Sequence, residues 1–166
     1  MTAENGPTLA AIFTPDLAPE RLGAVASAAD AAGLAQLWIW EDCFKESGIA
    51  TATAILATTS QVTVGIGLLP VPLRNVALTA MEIATLARLF PGRLSGTGGG
   101  TAGGMVGGCE DVVVFVSVPA ESPAADVAAA VSEYARAGAT HVAVNTDADL
   151  ERFVTFLAGE VSPLVG

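Results

Sequence analysis

The sequence has 166 residues, which fits one domain with a sizeable hydrophobic core and no need for disulfide or metal support. Seventeen acidic residues against seven basic ones give a formal charge of −10, which argues against nucleic acid and acidic membrane surfaces as partners. No apolar run is long enough to span a membrane, and the first residues lack the pattern of a signal peptide. We therefore expect a cytoplasmic protein with two free cysteines, Cys43 and Cys109.

The first half of the chain alternates predicted strands with predicted helices. Short apolar, β-branched runs predict strands at Thr8–Phe13, Ala35–Trp40 and Gln61–Pro70. Helical spacing of apolar residues predicts helices from Leu22 to a Gly33 terminus, over Gly48–Ser60, and from Val76 to Phe90. The buried face of the third helix is predicted to carry Val76, Ala80, Ile83, Ala87 and Phe90.

The second half repeats this alternation after a glycine-rich interruption. Asp111–Pro119 and Thr140–Thr146 are predicted strands, and the helix between them is expected to bury Val127, Val131 and Tyr134. The residues Thr146–Asp149 have the form of a capping box before a last helix. Continuous apolar strands separated by helices predict an α/β protein with a parallel sheet.

The interruption, Ser95–Gly108, contains one G-x-G-x-x-G pattern, at Gly98, Gly100 and Gly103. A dinucleotide-binding loop must open a helix, because the helix N-terminus binds the pyrophosphate. The residues that follow do not have a helical pattern. We therefore interpret this stretch as a flexible join that binds no phosphate.

The carboxyl ends of parallel strands are where α/β proteins bind ligands, and the sequence WIWEDC lies at one of them. Trp40 offers a flat apolar wall, and Glu41 and Asp42 offer groups for proton transfer. In the alternative interpretation, Trp38 and part of Trp40 belong to the core and the two acids cap the next helix. His141 opens a strand at its amino end, so we expect it to be structural, and no residues have metal-ligand spacing.

Residues Leu37–Leu94 closely resemble the luciferase-like monooxygenase family. The resemblance rests on the strand ending in WED, the strand VTVGIG, the loop LPVPLRN and the segment ATLARLFPGRL. It implies a (β/α)8 TIM barrel and an oxidoreductase that uses FMN or the deazaflavin F420, with the cofactor ring over the carboxyl ends of the strands. On that basis Glu41 and Asp42 are candidate catalytic residues. The candidate cofactor-binding residues are Phe13, Trp40, Gly67, Leu68 and Asn145.

The resemblance also predicts a missing part. Family members continue after PGRL with a fourth strand, a long insertion and two more strands, where this chain has residues 95–108. The remaining strands correspond to the arc 7-8-1-2-3 of the barrel, in one domain spanning residues 1–166, with a stub of the fourth strand at Arg93–Gly98. Such an arc has an uncovered inner face, so we expect it to flatten, to close as a smaller barrel or to form a homo-oligomer, most simply a dimer.

Two functions stay open at this stage. The chain is either a flavin- or F420-dependent oxidoreductase, compact or completed by a second copy, or a catalytically silent barrel fragment, natural or engineered, that keeps the fold and self-associates. The sequence does not name a substrate.

Overall fold

The computed structural model of the chain describes residues 6–67, 69–96 and 111–165. Its strands are β1 Thr8–Phe13, β2 Gln36–Ile39, β3 Thr63–Ile66, β4 Leu94–Gly96, β5 Val113–Val118 and β6 His141–Thr146. Its helices are α1 Leu22–Ala32, α2 Gly48–Thr58, α3 Val76–Leu89, α4 Ala124–Arg136 and α5 Leu150–Phe156; α5 continues through a π-helical turn, Leu157–Val161, into α6 Ser162–Val165. None of the helices in the described part of the chain is long and apolar enough to cross a bilayer.

The six strands form one parallel sheet in the order β4-β3-β2-β1-β6-β5. This order confirms the predicted arc, because β5 pairs with β6 and β6 pairs with β1. The stub of the fourth strand is β4, so Ser95 and Gly96, the first two residues of the expected join, belong to the sheet. The G-x-G-x-x-G pattern and Cys109 lie outside the described residues.

The larger core lies between the sheet and the helices. Strands β1 and β2 are almost wholly buried, and helices α1, α2, α4 and α5 cover their outer side. Gly33 ends α1 with φ 74°, a left-handed conformation that glycine adopts without cost. Asp149 caps α5 by accepting hydrogen bonds from the N–H groups of Glu151 and Arg152, so the cap is Asp149 and not Thr146.

The predicted buried faces of two helices were each wrong in part. Helix α3 buries Thr79, Ile83 and Leu86, whereas Val76 and Ala87 face solvent. Ten of the fourteen residues of α3 are apolar and they occur on all sides of the helix, so periodicity alone does not distinguish its buried side. In α4, Val127 and Val131 are buried as expected, but Tyr134 is 40% exposed because β5, the strand that precedes this helix, lies at the edge of the sheet.

The sheet is strongly curled toward its inner face. In a flat sheet with strands about 4.8 Å apart, β5 and β3 would be separated by roughly 19 Å. Instead, a Cβ placed on Gly67 would lie 3.0 Å from Cζ of Phe115 on β5. Pairing partners lead from Phe115 on β5 across β6, β1 and β2 to Thr63 on β3, which is four strand-to-strand steps. The residue that Phe115 approaches is Gly67, four residues further along the chain than Thr63. A stagger of one residue per strand is that of an eight-stranded parallel barrel, so the sheet is an arc of such a barrel.

A small second core fills the inner face of this arc. It consists of Ala10, Ile12, Trp38 and Ala143, with Trp40 and Val113 packed against it. The ring of Phe115 lies edge-on to both indoles, with centroids 5.6 Å from Trp38 and 6.4 Å from Trp40. Among the described residues β4 and β5 do not pair. In the described part of the chain the sheet is therefore a curled arc and not flat.

Candidate functional site

The loop between β2 and α2 carries three of the seven predicted site residues, Trp40, Glu41 and Asp42. Trp38 is fully buried in the inner core, and its indole N–H donates to Oε1 of Gln36 at 2.9 Å. Trp40, two residues on, lies on the same face and is half-buried. The interpretation that Trp38 is core and Trp40 partly core is confirmed.

Glu41 points to the opposite side of the sheet and is buried in an ion pair. Its carboxylate accepts two hydrogen bonds from Arg74, one from Nε at 2.9 Å and one from Nη2. It also accepts from the backbone N–H of Gly48, the first residue of α2, at 2.7 Å. Arg74 in turn donates to Glu82 of α3 at 2.9 Å and to the hydroxyl of Ser47 at 3.2 Å. The network joins β2 to the starts of both α2 and α3.

This network keeps Glu41 ionised. Burial raises the pKa of Glu41, but the hydrogen bonds from Arg74, the N–H of Gly48 and the charge of Arg74 together outweigh burial, so the pKa lies below its ordinary value. The same hydrogen bond from Arg74 to Glu41 raises the pKa of Arg74. A carboxylate held in this way caps a helix, as the alternative interpretation expected, and is poorly placed to exchange a proton.

Asp42 differs from its neighbour in every respect. It is exposed, and its Oδ1 accepts from the N–H of Cys43 at 2.7 Å. Its backbone carbonyl accepts from the N–H of Lys45 at 3.2 Å, closing a turn across Cys43 and Phe44. Asp42 does not cap α2, whose capping side chain is that of Ser47. Of the two predicted catalytic acids, it is the one that solvent and ligands reach.

The predicted cofactor-binding residues divide between the two faces of the sheet. Gly67 follows β3, and its N–H donates to the carbonyl of Ile39 at 2.7 Å. Asn145 is half-buried near the end of β6, on the same face as Ala143 and Trp40. Phe13 is buried in the outer core, because successive side chains of a strand point to opposite faces and it alternates with Ile12. Leu68 lies outside the described residues.

A large groove lies away from this site. It measures about 930 Å³ and runs along α5, with Glu121, Glu151 and Glu160 among its lining residues. A pocket of about 300 Å³ lies against Glu41, Asp42 and Arg74 at the carboxyl end of the sheet. We place the site at the smaller pocket and the neighbouring inner face, because parallel sheets bind ligands at the carboxyl ends of their strands.

Sequence reasoning missed Arg74, Phe44 and Phe115. Arg74 was visible as the single charge in an otherwise apolar loop directly before the helix cap Asn75. Phe44 and Phe115 gave no signal, because their importance depends on a backbone angle and on the curvature of the sheet.

A parallel α/β arc of this kind is part of the architecture of a TIM barrel, a fold that binds its ligands at the carboxyl ends of the strands. The sequence model of the luciferase-like monooxygenases matches residues 3–104, more than half of the chain, and the chain belongs to this family of oxidoreductases. Membership supports flavin- or F420-type cofactor use at the level of the family. A comparison with curated proteins finds no match.

Among solved structures, the coenzyme F420-dependent tetrahydromethanopterin reductase from Methanopyrus kandleri is similar, with a TM-score of 0.50 and 24% identity. The match covers 55% of this chain and 26% of the reductase chain. At this identity the likeness supports the fold alone. The chain spans about a quarter of the reductase.

Proposed function

We propose that the chain is a flavin- or F420-dependent oxidoreductase whose cofactor ring lies against Trp40. The supporting observation is that Trp40, Gly67 and Asn145 share the inner face at or beside the carboxyl ends of their strands. A planar heterocycle needs a flat apolar wall, and a half-buried indole provides one. When bound, such a ring accepts or donates a hydride.

The described residues fit the ring better than they fit an anionic tail. The described loops after β2 and β3 carry two cations, Lys45 and Arg74. Lys45 pairs with Asp16 at 3.5 Å, and Arg74 pairs with Glu41 and Glu82. The chain also carries a net charge of −10, which repels phosphates and carboxylates. We propose that the ring, and not the phosphate, supplies the binding free energy.

Within this proposal the two acids have different parts. Glu41 holds the loop between β2 and α2 in place through Arg74 and the N–H of Gly48. Asp42, exposed and with only Oδ1 engaged by a backbone N–H, is the group that holds or moves a proton. The substrate-facing chemistry is therefore assigned to Asp42 and the positioning to Glu41.

The test is a titration with riboflavin, FMN and F420, followed by tryptophan fluorescence and by melting temperature. We expect riboflavin to bind at least as well as FMN, because Lys45 and Arg74, the cations described on the loops after β2 and β3, are already paired. Trp40→Ala should weaken binding by about 1–3 kcal/mol, the scale of a buried aromatic contact. Tyr134→Ala, an exposed aromatic on α4, is the control and should change nothing. If none of the three compounds binds the unmodified chain, the proposal fails.

A second candidate is a catalytically silent family member that self-associates. It is favoured by Phe115, whose ring lies over Gly67, beside the wall that a cofactor would use. It is also favoured by the large apolar side chains Val76, Met81 and Leu89 that α3 exposes, which a second copy would bury. We propose a homo-oligomer under either function. Sedimentation showing only a monomer at high concentration would exclude self-association, and absence of ligand binding in an oligomer would favour the silent member.

A further inference from the structure

The 300 Å³ pocket has features that neither the ion-pair network nor the inner face explains. We call it the rim pocket; the residues used below are Asp42, Phe44, Lys45, Leu73, Arg74 and Leu78. It lies outside the inner face, between the loop after β2 and the start of α3. Its volume is at the lower limit of known small-molecule sites.

Phe44 is held in a costly conformation for no benefit to the fold. It occupies the third position of the turn closed by the N–H of Lys45, with φ 65°, where glycine or asparagine is normally found. Its side chain is fully exposed. A strained, unpacked aromatic ring beside a pocket indicates that the ring contacts a ligand, because strained residues cluster at ligand sites.

The opposite side of the rim pocket is also apolar and exposed. Leu73 is 49% exposed and Leu78 is 54% exposed, although both line a concave surface. Together with Phe44, these side chains offer apolar contact to a compact hydrocarbon or aromatic body. The pocket therefore offers apolar contacts as well as charged groups.

The charges of the rim pocket select the sign of the ligand. Arg74 is neutralised by Glu41 and Glu82, and Lys45 pairs with Asp16. Asp42 has a carboxylate without a cation partner among the described residues, and Oδ1 alone is engaged, by the N–H of Cys43. The unbalanced charge at the pocket is therefore negative, as is the net charge of the chain.

We propose that the rim pocket binds an organic cation with a compact aromatic or apolar body. The carboxylate of Asp42 pairs with the cationic group, and Phe44, Leu73 and Leu78 contact the body. An aromatic ring beside a carboxylate suits this class of ligand, since the ring face also attracts a cation. The proposal needs no flavin or F420, so it can fail while the proposed function stands.

The experiment uses three probes of nearly equal shape: benzamidine, a cation; benzamide, which is neutral; and benzoate, an anion. Each is titrated into the cofactor-free full chain, and amide NMR shifts report the affinity and the place of binding. We expect benzamidine to bind in the millimolar range, with shifts centred on Phe44, Leu73 and Leu78. Benzamide should bind about five- to tenfold more weakly, the combined scale of an exposed ion pair and a cation–π contact, and benzoate should not bind.

Three variants separate the contributions. Asp42→Asn should remove the ion-pair part of the preference for benzamidine over benzamide and leave only the smaller cation–π part. Phe44→Ala should weaken both of these probes while leaving the melting temperature unchanged, because alanine keeps the strained angle and the ring packs against nothing. Glu133→Gln, which removes an exposed charge from α4, is the control for net charge and should leave binding unchanged. Equal binding of benzamidine and benzamide, no effect of Asp42→Asn, or shifts centred on α5 would each overturn the proposal.

Discussion

The amino and carboxyl ends of the sheet are built in opposite ways. At the amino end, Asp30 accepts hydrogen bonds from the N–H groups of Ser60, Gln61 and Val62 and from the Ser60 hydroxyl. Arg93 donates to the carbonyls of Leu56, Thr59 and Val62 and to the Thr59 hydroxyl. These two side chains tie the end of α2 and the start of β3 to their neighbours.

At the carboxyl end, by contrast, side chains that could contact a ligand are exposed. The exposed carboxylate of Asp42 is engaged only through Oδ1, by a backbone N–H. Phe44 is strained and exposed, and Leu73 and Leu78 present apolar surface to solvent. The network of Glu41 and Arg74 is the one strong clamp described there, and it lies beneath the exposed groups. Parallel barrels place stability at the amino end and function at the carboxyl end, and this arc keeps that division.

The largest loss of stability is expected at the amino end, from Arg93→Ala. The variant removes the guanidinium group, a planar fork of N–H donors that binds carbonyls at the C-terminus of α2. Its positive charge also interacts favourably with the negative end of the helix dipole. We expect a loss of about 3 kcal/mol in the free energy of unfolding, the scale of losing several charge-assisted hydrogen bonds from partly buried groups. Urea denaturation measures it.

Arg93→Lys is the matched control, because it keeps the charge but not the fork. It should recover less than half of the loss. Complete recovery by lysine would show that charge, and not the geometry of the guanidinium, holds this end together.

A somewhat smaller loss is expected from Glu41→Gln at the carboxyl end. Glutamine leaves Arg74, whose side chain is 14% exposed, with Glu82 as its remaining carboxylate, and it weakens the bond to the N–H of Gly48. Breaking a buried ion pair costs about 3–5 kcal/mol, and the surviving partner should reduce the loss to about 2 kcal/mol.

Glu82→Gln is the comparison, because Glu82 is the more exposed partner of Arg74. It should cost less than 1 kcal/mol, as exposed ion pairs do. If Glu41→Gln left stability unchanged and abolished an enzymatic activity, the positioning part assigned to Glu41 would be wrong and a catalytic part would replace it.

Acid should weaken the amino end through Asp30. Burial alone would raise the pKa of Asp30, but the N–H groups of Val62, Ser60 and Gln61 and the Ser60 hydroxyl outweigh it and lower the pKa from 3.8 to about 2. A carboxyl whose folded pKa is depressed contributes stability above its unfolded pKa and loses it as pH falls through the folded value. Wild type should therefore lose stability between about pH 4 and pH 2, beyond the loss from other acids.

Asp30→Asn isolates this contribution. The variant should be less stable than wild type at pH 6 by about 1 kcal/mol, since it loses the charge but keeps an acceptor. The difference between the two proteins should shrink as pH falls toward 2. A difference that stays constant with pH would mean that the charge of Asp30 does not stabilise the fold.

The order of the strands was predictable because the arc follows from consecutive buried runs and the resemblance to a barrel. The strand cores were found, but the predicted spans ran one to four residues beyond the hydrogen-bonded ladders at most ends, as with Gln61–Pro70 against Thr63–Ile66. Strand alternation alone places the side chain of Phe13 in the outer core, opposite Ile12. Phe13 was nevertheless predicted to bind the cofactor because it lies at the end of a strand. The contacts of Arg74 and Phe115 depend on how loops and a curved sheet converge, and no local pattern encodes that convergence.

The smallest expected effect has the opposite sign and lies at the carboxyl end. Phe44→Gly should stabilise the protein by about 0.5–1 kcal/mol, because glycine adopts a φ of 65° without strain and the exposed ring contributes no packing. The gain is measured by urea denaturation against Phe44→Ala, which keeps the strain and should match wild type. The same variant should lose affinity for benzamidine at the rim pocket. A variant that gains stability while losing a ligand is the expected signature of a residue kept for binding, whereas a loss of stability in Phe44→Gly would show that the ring supports the fold and would remove the contrast between the two ends at this position.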